Sequence, residues 1–187
     1  MLFSKIFTAG AVMASTAMAA LTPIQIATSI NQVTVLSQNL QTPANSITLV
    51  NAPLIIVGRG PFPKIITGFT QIVTTVSTAI IQLRDTPPVT VEADADLILN
   101  AFRGFVRVHQ ELLNILIGKA GIITDVPVVG PPVAAVLRKV EGVVDTVAIT
   151  LINLVEVRSK DLENEANNLD GTLKITIQKY EGVQTNV

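Results

Sequence analysis

Residues 133–154 read VAAVLRKVEGVVDTVAITLINL. Within them Val133, Leu137, Val140, Val144, Val147, Leu151 and Leu154 recur at intervals that alternate between four and three residues. That spacing keeps one stripe of a helix apolar for about six turns, the signature of a seam buried in a bundle. A strand of such length would be exceptional. The abundance of Val, Ile and Thr, mediocre helix formers, is the weaker competing signal. The stretch predicts a long helix, opened by Pro131-Pro132.

The same periodicity extends in both directions between clusters of proline and glycine. Ile26, Ile30, Val33 and Leu40 predict a first helix over roughly 23–41, and Phe69, Val73, Val76, Ile80 and Leu83 a second over 63–84. Leu97, Ala101, Phe105, Val108, Leu112 and Leu116 predict a third, with Thr90 as N-cap and Glu92, Asp94 and Asp96 near its positive end. After the quoted stretch, Ser159 reads as an N-cap, and Leu162, Ala166, Leu169, Leu173, Ile177 and Tyr180 continue a last helix. Leu173, Ile175 and Ile177 also alternate as a strand would, residues 46–57 could be extended, and residues 46–63 stay undecided, since Pro53 and Pro61 forbid one continuous helix. The expected fold is all-α, an up-and-down amphipathic bundle of about five helices with short connections.

Composition narrows function. The chain has 187 residues, no cysteine, 49% hydrophobic residues and a formal net charge of −1; its mean hydropathy is +0.54. Residues 1–19 read as a secretory signal peptide: Lys5, an apolar run from Ile6 to Met13, and Ala17-Met18-Ala19 as a small-x-small cleavage site. That run is too short to span a bilayer, and no transmembrane segment is expected elsewhere. Residues 20–187 are expected to form one domain that is exported, extracellular or in a cell wall, and stabilised by apolar burial without disulfides. The charge balance and the scarcity of aromatics exclude a nucleic-acid footprint. Between Lys5 and Arg59 no side chain is charged, whereas residues 158–181 are densely charged.

Enzyme signatures are missing. One histidine, His109, and no cysteine leave neither a zinc site nor a thiol nucleophile to assemble, and no cofactor is implied. With Arg107 and Glu111 nearby, His109 reads as a partly solvated side chain rather than a catalytic base. Asp94 with Asp96, and Glu163 with Glu165, lie two apart on helices, so neither pair converges. Gly118-Lys119 lacks the upstream glycine of a phosphate loop.

Three stretches carry a family resemblance: Pro23-Ile24-Gln25-Ile26-Ala27-Thr28-Ser29-Ile30, the Val89–Ala95 start with its Asp94-Ala95 running on to Lys119, and the final helix ending Lys179-Tyr180. The chain resembles the fungal hydrophobic surface-binding protein A family, which overlaps the antigenic cell-wall galactomannoproteins. It departs in having Lys119-Ala120 where a paired lysine is usual, and in lacking a Ser/Thr-rich tail. The resemblance implies a secreted, non-enzymatic helical bundle that binds hydrophobic surfaces, or long-chain lipids and fatty acids between its helices. It also implies, as a partner, a secreted polyester-degrading enzyme recruited to that surface. A structural cell-wall protein, or an effector acting through protein contacts, is the alternative.

The seams nominate a contact set for an acyl chain: Phe69, Val73 and Val76; Phe105, Val108 and Leu112; and Val140, Val144, Val147 and Leu151. The same ten positions would serve equally as the ordinary core of such a bundle.

Overall fold

The computed structural model describes residues 20–182; the signal-peptide reading of residues 1–19 lies outside them. Among the described residues there is no strand. The helices are α1 (Pro23–Asn45), α2 (Pro61–Leu83), α3 (Glu92–Lys119), the single turn α4 (Ile122–Asp125), α5 (Gly130–Leu154) and α6 (Ser159–Glu181). The all-α bundle of about five long helices is as the seams predict. Residues 173–177 are helical. The undecided segment contains a 3₁₀ turn over Ala52–Val57, closed by Gly58 in the left-handed region. Gly60 also has a positive φ of 84°, and a Cβ there would lie 2.9 Å from the Asn51 carbonyl oxygen, so only glycine fits before Pro61.

Neighbour order in the bundle differs from chain order. α1 packs on α2 and α3, α3 on α6, α6 on α5, and α5 on α2, which closes a ring. Cross-links fix the directions. Ser37 meets His109 and Ile47 meets Lys119, so α1 and α3 run parallel. Asp96 meets Arg158 and Leu116 meets Tyr180, so α3 and α6 do too. Arg138 meets Glu181, so α5 is antiparallel to α6. One end of the bundle thus collects the starts of α1, α3 and α6. The acidic residues Glu92, Asp94 and Asp161 in the first turns of α3 and α6 suit that end, where helix dipoles are positive.

Capping differs from expectation at both starts where the sequence names a cap, Thr90 and Ser159. Thr22 makes a full capping box with Gln25 at α1. Thr90 does not cap α3, which begins after Val91 without a side-chain cap, and Ser159 is the first residue of α6 rather than its cap. Tertiary contacts substitute: Arg158 donates to Asp96 at 2.6 Å across the α3 and α6 starts.

Burial follows the seams with informative exceptions. Six of the seven seam residues of α5 are buried; Val147 is only partly covered. Leu97, expected inside, is 41% exposed, because α3 is buried against both α1 and α6 and its stripe runs instead through Ala95, Ile98, Leu99 and Phe102. Gly68 allows α1 and α2 to approach, since a Cβ there would collide with the Leu40 side chain. α2 is the one described helix long and apolar enough to cross a membrane, with mean hydropathy 1.3; its stripe Ile65, Phe69, Ile72, Val76 and Leu83 is buried in the bundle.

Candidate lipid cleft

An apolar slot opens inside the ring, between α1, α2, α3 and α5. Its walls are Ile26, Ile30 and Val33 of α1, Val76, Ala79 and Leu83 of α2, Phe102 and Phe105 of α3, and Val144, Val147 and Leu151 of α5, with Leu21 just ahead of α1. Ser29 is its one polar lining residue, and that hydroxyl donates to the Gln25 carbonyl at 2.9 Å. The cavity volume is about 40 Å³. The slot is therefore narrow as it stands, below the size of a typical small-molecule pocket, and an acyl chain would have to part its walls. These walls carry no ionisable side chain and one hydroxyl held by its own helix, so the slot presents an almost wholly apolar surface.

The linker between α2 and α3 crosses the end of the bundle at Leu21. The Leu21 amide donates to Thr86 Oγ1 at 3.2 Å, and the Val89 amide donates to the Leu154 carbonyl at 2.8 Å. The second bond satisfies a carbonyl that the end of α5 would otherwise leave unpaired.

Five of the ten nominated residues line this slot: Val76, Phe105, Val144, Val147 and Leu151. The other five do not. Phe69, Leu112 and Val140 are sealed in the core. Val73 packs half-buried against that core, and the Val108 carbonyl accepts from Gln41. The slot occupies one end of the bundle, whereas the nominated seams run along its length. All of α1 was missed as a wall. The available signal was that Ile26, Ile30 and Val33 share a face of a helix carrying no charge.

His109 departs from its expected solvation: it is 0% exposed. Its Nδ1 lies 2.8 Å from Ser37 Oγ, while Nε2 has no partner. Phe105 and Phe69 flank the ring, with centroids 5.2 and 6.0 Å away. Burial among these rings disfavours the imidazolium and lowers the pKa to about 4. Among the described residues, no group of histidine and acidic side chains converges as a metal site would require.

The fold recurs in two solved structures. One is AFMP4P in complex with palmitic acid, with a TM-score of 0.65 and 14% identity over 84% of this chain and 99% of that one. The other is ligand binding domain 1 of the Penicillium marneffei MP1 protein complexed with arachidonic acids, with a TM-score of 0.64 and 17% identity over 83% and 98%. At such identities the likeness is one of fold. No family model and no curated protein sequence matches the chain.

Proposed function

We propose that this protein is a non-enzymatic carrier of long-chain fatty acids or similar lipids, exported from the cell and related to the hydrophobic surface-binding proteins its sequence resembles. The observation that carries the reading is the apolar slot inside a helical ring whose fold is shared with AFMP4P in complex with palmitic acid and with the MP1 domain complexed with arachidonic acids. Each methylene moved from water into such a slot contributes about 0.8 kcal/mol, so a long acyl chain reaches micromolar affinity without specific polar contacts.

Thermal unfolding with palmitic acid tests this. At a free ligand concentration a hundredfold above Kd, binding adds about 2.7 kcal/mol and raises Tm by roughly 5–10 °C. Ala79→Phe, which fills the slot, should abolish the rise while the protein stays folded. A folded parent protein whose Tm does not respond to any long-chain acid would overturn the proposal.

A second reading, adsorption to a hydrophobic surface, draws on the opposite end of the bundle. There Leu49, Val50, Leu54, Ile56 and Val57 are exposed around the 3₁₀ turn, Val50 by 88%. Arg59 and Lys64 follow, with no acidic residue between positions 20 and 84. A knuckle of this kind suits an interface between water and an apolar or anionic lipid phase. Val50→Asp with Ile56→Asp should lower surface activity in a film balance and leave fatty-acid binding unchanged. Recruitment of a polyester-degrading enzyme would be a further property of that end, tested by co-adsorption on a polyester film.

A further inference from the structure

The slot stops one helical turn short of the buried polar pair. Val33 and Phe105 are wall residues, and Ser37 and His109 lie four positions further along the same two parallel helices, about 6 Å deeper. The Ser37 hydroxyl lies 3.2 Å from the Val33 carbonyl oxygen and 2.8 Å from His109 Nδ1. The hydroxyl has one proton for these two acceptors; in the tautomer that satisfies both contacts it donates to the Val33 carbonyl, and Nδ1 carries the imidazole proton and donates to Ser37 Oγ. Nε2 is then a bare acceptor, fully buried and without a partner. Unpaired buried polar atoms are uncommon in native proteins and call for a reason. Phe105 borders both, lining the slot with its ring centroid 5.2 Å from that of the imidazole.

We propose that His109 Nε2 receives the head group of the ligand: the lipid lies head inward, its protonated carboxyl donating to Nε2, with the chain running along the slot toward Leu21 and Leu83. This rests on the fatty-acid reading above. Three observations favour the orientation. The wall offers no other free polar group, since the Ser29 hydroxyl is spent on its own helix. The end of the bundle at Leu21 and Leu83 carries Asp85, Glu92, Asp94, Glu156 and Asp161 against Arg84 and Lys160, with Arg158 already held by Asp96, so a carboxylate left there meets a surplus of like charge. A carboxyl drawn into an apolar slot keeps its proton, and a neutral acid on a neutral imidazole buries no net charge. The head passes Phe105 to reach the ring.

The sole histidine makes the test direct. Affinities for palmitic acid and methyl palmitate would be measured on the parent protein, His109→Leu and His109→Gln, while the Nε2 resonance of ¹⁵N-labelled parent protein is followed as each ligand is added. The expected result is a preference for the acid on the order of tenfold or more, lost in His109→Leu through weaker acid binding alone and partly restored in His109→Gln. Nε2 should shift with the acid and not with the ester. If the parent protein binds both ligands equally and Nε2 stays put, the head group is elsewhere and this inference falls, while the acyl-chain reading stands. If neither ligand binds, both fall. Should His109→Leu fail to fold, the parent protein's ligand ratio and Nε2 shift decide alone.

Discussion

The two sides of the ring are built differently. The α3–α6 side is pinned by directional bonds: Tyr180 to the Leu116 carbonyl at 3.0 Å, Gln110 to Asn168 and Thr172, Arg103 to Glu165 and Asp161, and Arg158 to Asp96. On the other side, α2 makes no described side-chain hydrogen bond to another helix. Its Thr70, Thr74 and Thr78 hydroxyls all donate to carbonyls one turn back on α2 itself. Apolar contact alone holds α2 in the ring, and such contact is non-directional. The slot lies on that side; α6 contributes nothing to its walls. A polar-bonded frame thus faces a helix that can shift without breaking a described polar bond, which is what the proposed lipid carrier would need to open its narrow slot.

The largest expected effect tests the frame against the wall with one chemistry. Leu113→Ala, fully buried in the frame, should destabilise by about 4–5 kcal/mol in urea unfolding, whereas Leu83→Ala, which borders the slot, should lose nearer 2 kcal/mol. Equal losses would erase the contrast.

Next comes acid. The pKa of His109 is lowered on folding, so between about pH 6.5 and 4 the unfolded chain binds a proton that the folded chain does not. Stability contributed by the neutral imidazole is complete above that window and falls as pH drops through it, by about 3 kcal/mol. The difference between the pH–stability curves of the parent protein and His109→Leu isolates this term from the carboxylates; parallel curves would contradict it.

Gly68→Leu should cost about 1–3 kcal/mol by forcing α1 from α2 against Leu40, and it should weaken palmitic-acid binding as well because both helices are slot walls. Smallest is Tyr180→Phe, about 1 kcal/mol from one lost hydrogen bond on the frame, with ligand affinity unmoved. Hydrogen exchange that is slower in α2 than in α6 would reverse the assignment of frame and moving wall.

Much of this was legible in the chain. The four-three spacing from Val133 to Leu154 decides α5 because a long seam has one geometric solution. What periodicity reports is the face a helix buries, and a slot is a place where buried faces fail to meet. That is why Phe69, Leu112 and Val140 were indistinguishable from Val76, Phe105 and Val144 in sequence. The slot is betrayed by incomplete coverage at Ile30, Ala79 and Val147, which depends on ring order, and ring order is set by long-range packing. His109 was misread for a related reason. Its charged neighbours Arg107 and Glu111 lie on another face of α3, and only the position of Ser37 on α1 reveals that the imidazole points inward. Thr90 and Ser159 failed as caps because α3 starts one residue later, after Val91, and α6 starts at Ser159 itself, so neither stands at the N-cap position.

The absence of charge from α1, and its restriction to Lys64 on α2, gives the molecule a split response to dissolved ions. Added salt screens the exposed pairs Arg103–Asp161 and Lys174–Asp170 on α3 and α6. It has almost nothing to screen between α1 and α2. Sulfate or phosphate, excluded from apolar surface, tightens that junction instead. Ionic strength and ion identity therefore act on opposite sides of the ring: chloride weakens the ion pairs of the frame slightly, and sulfate strengthens the apolar contacts of α2.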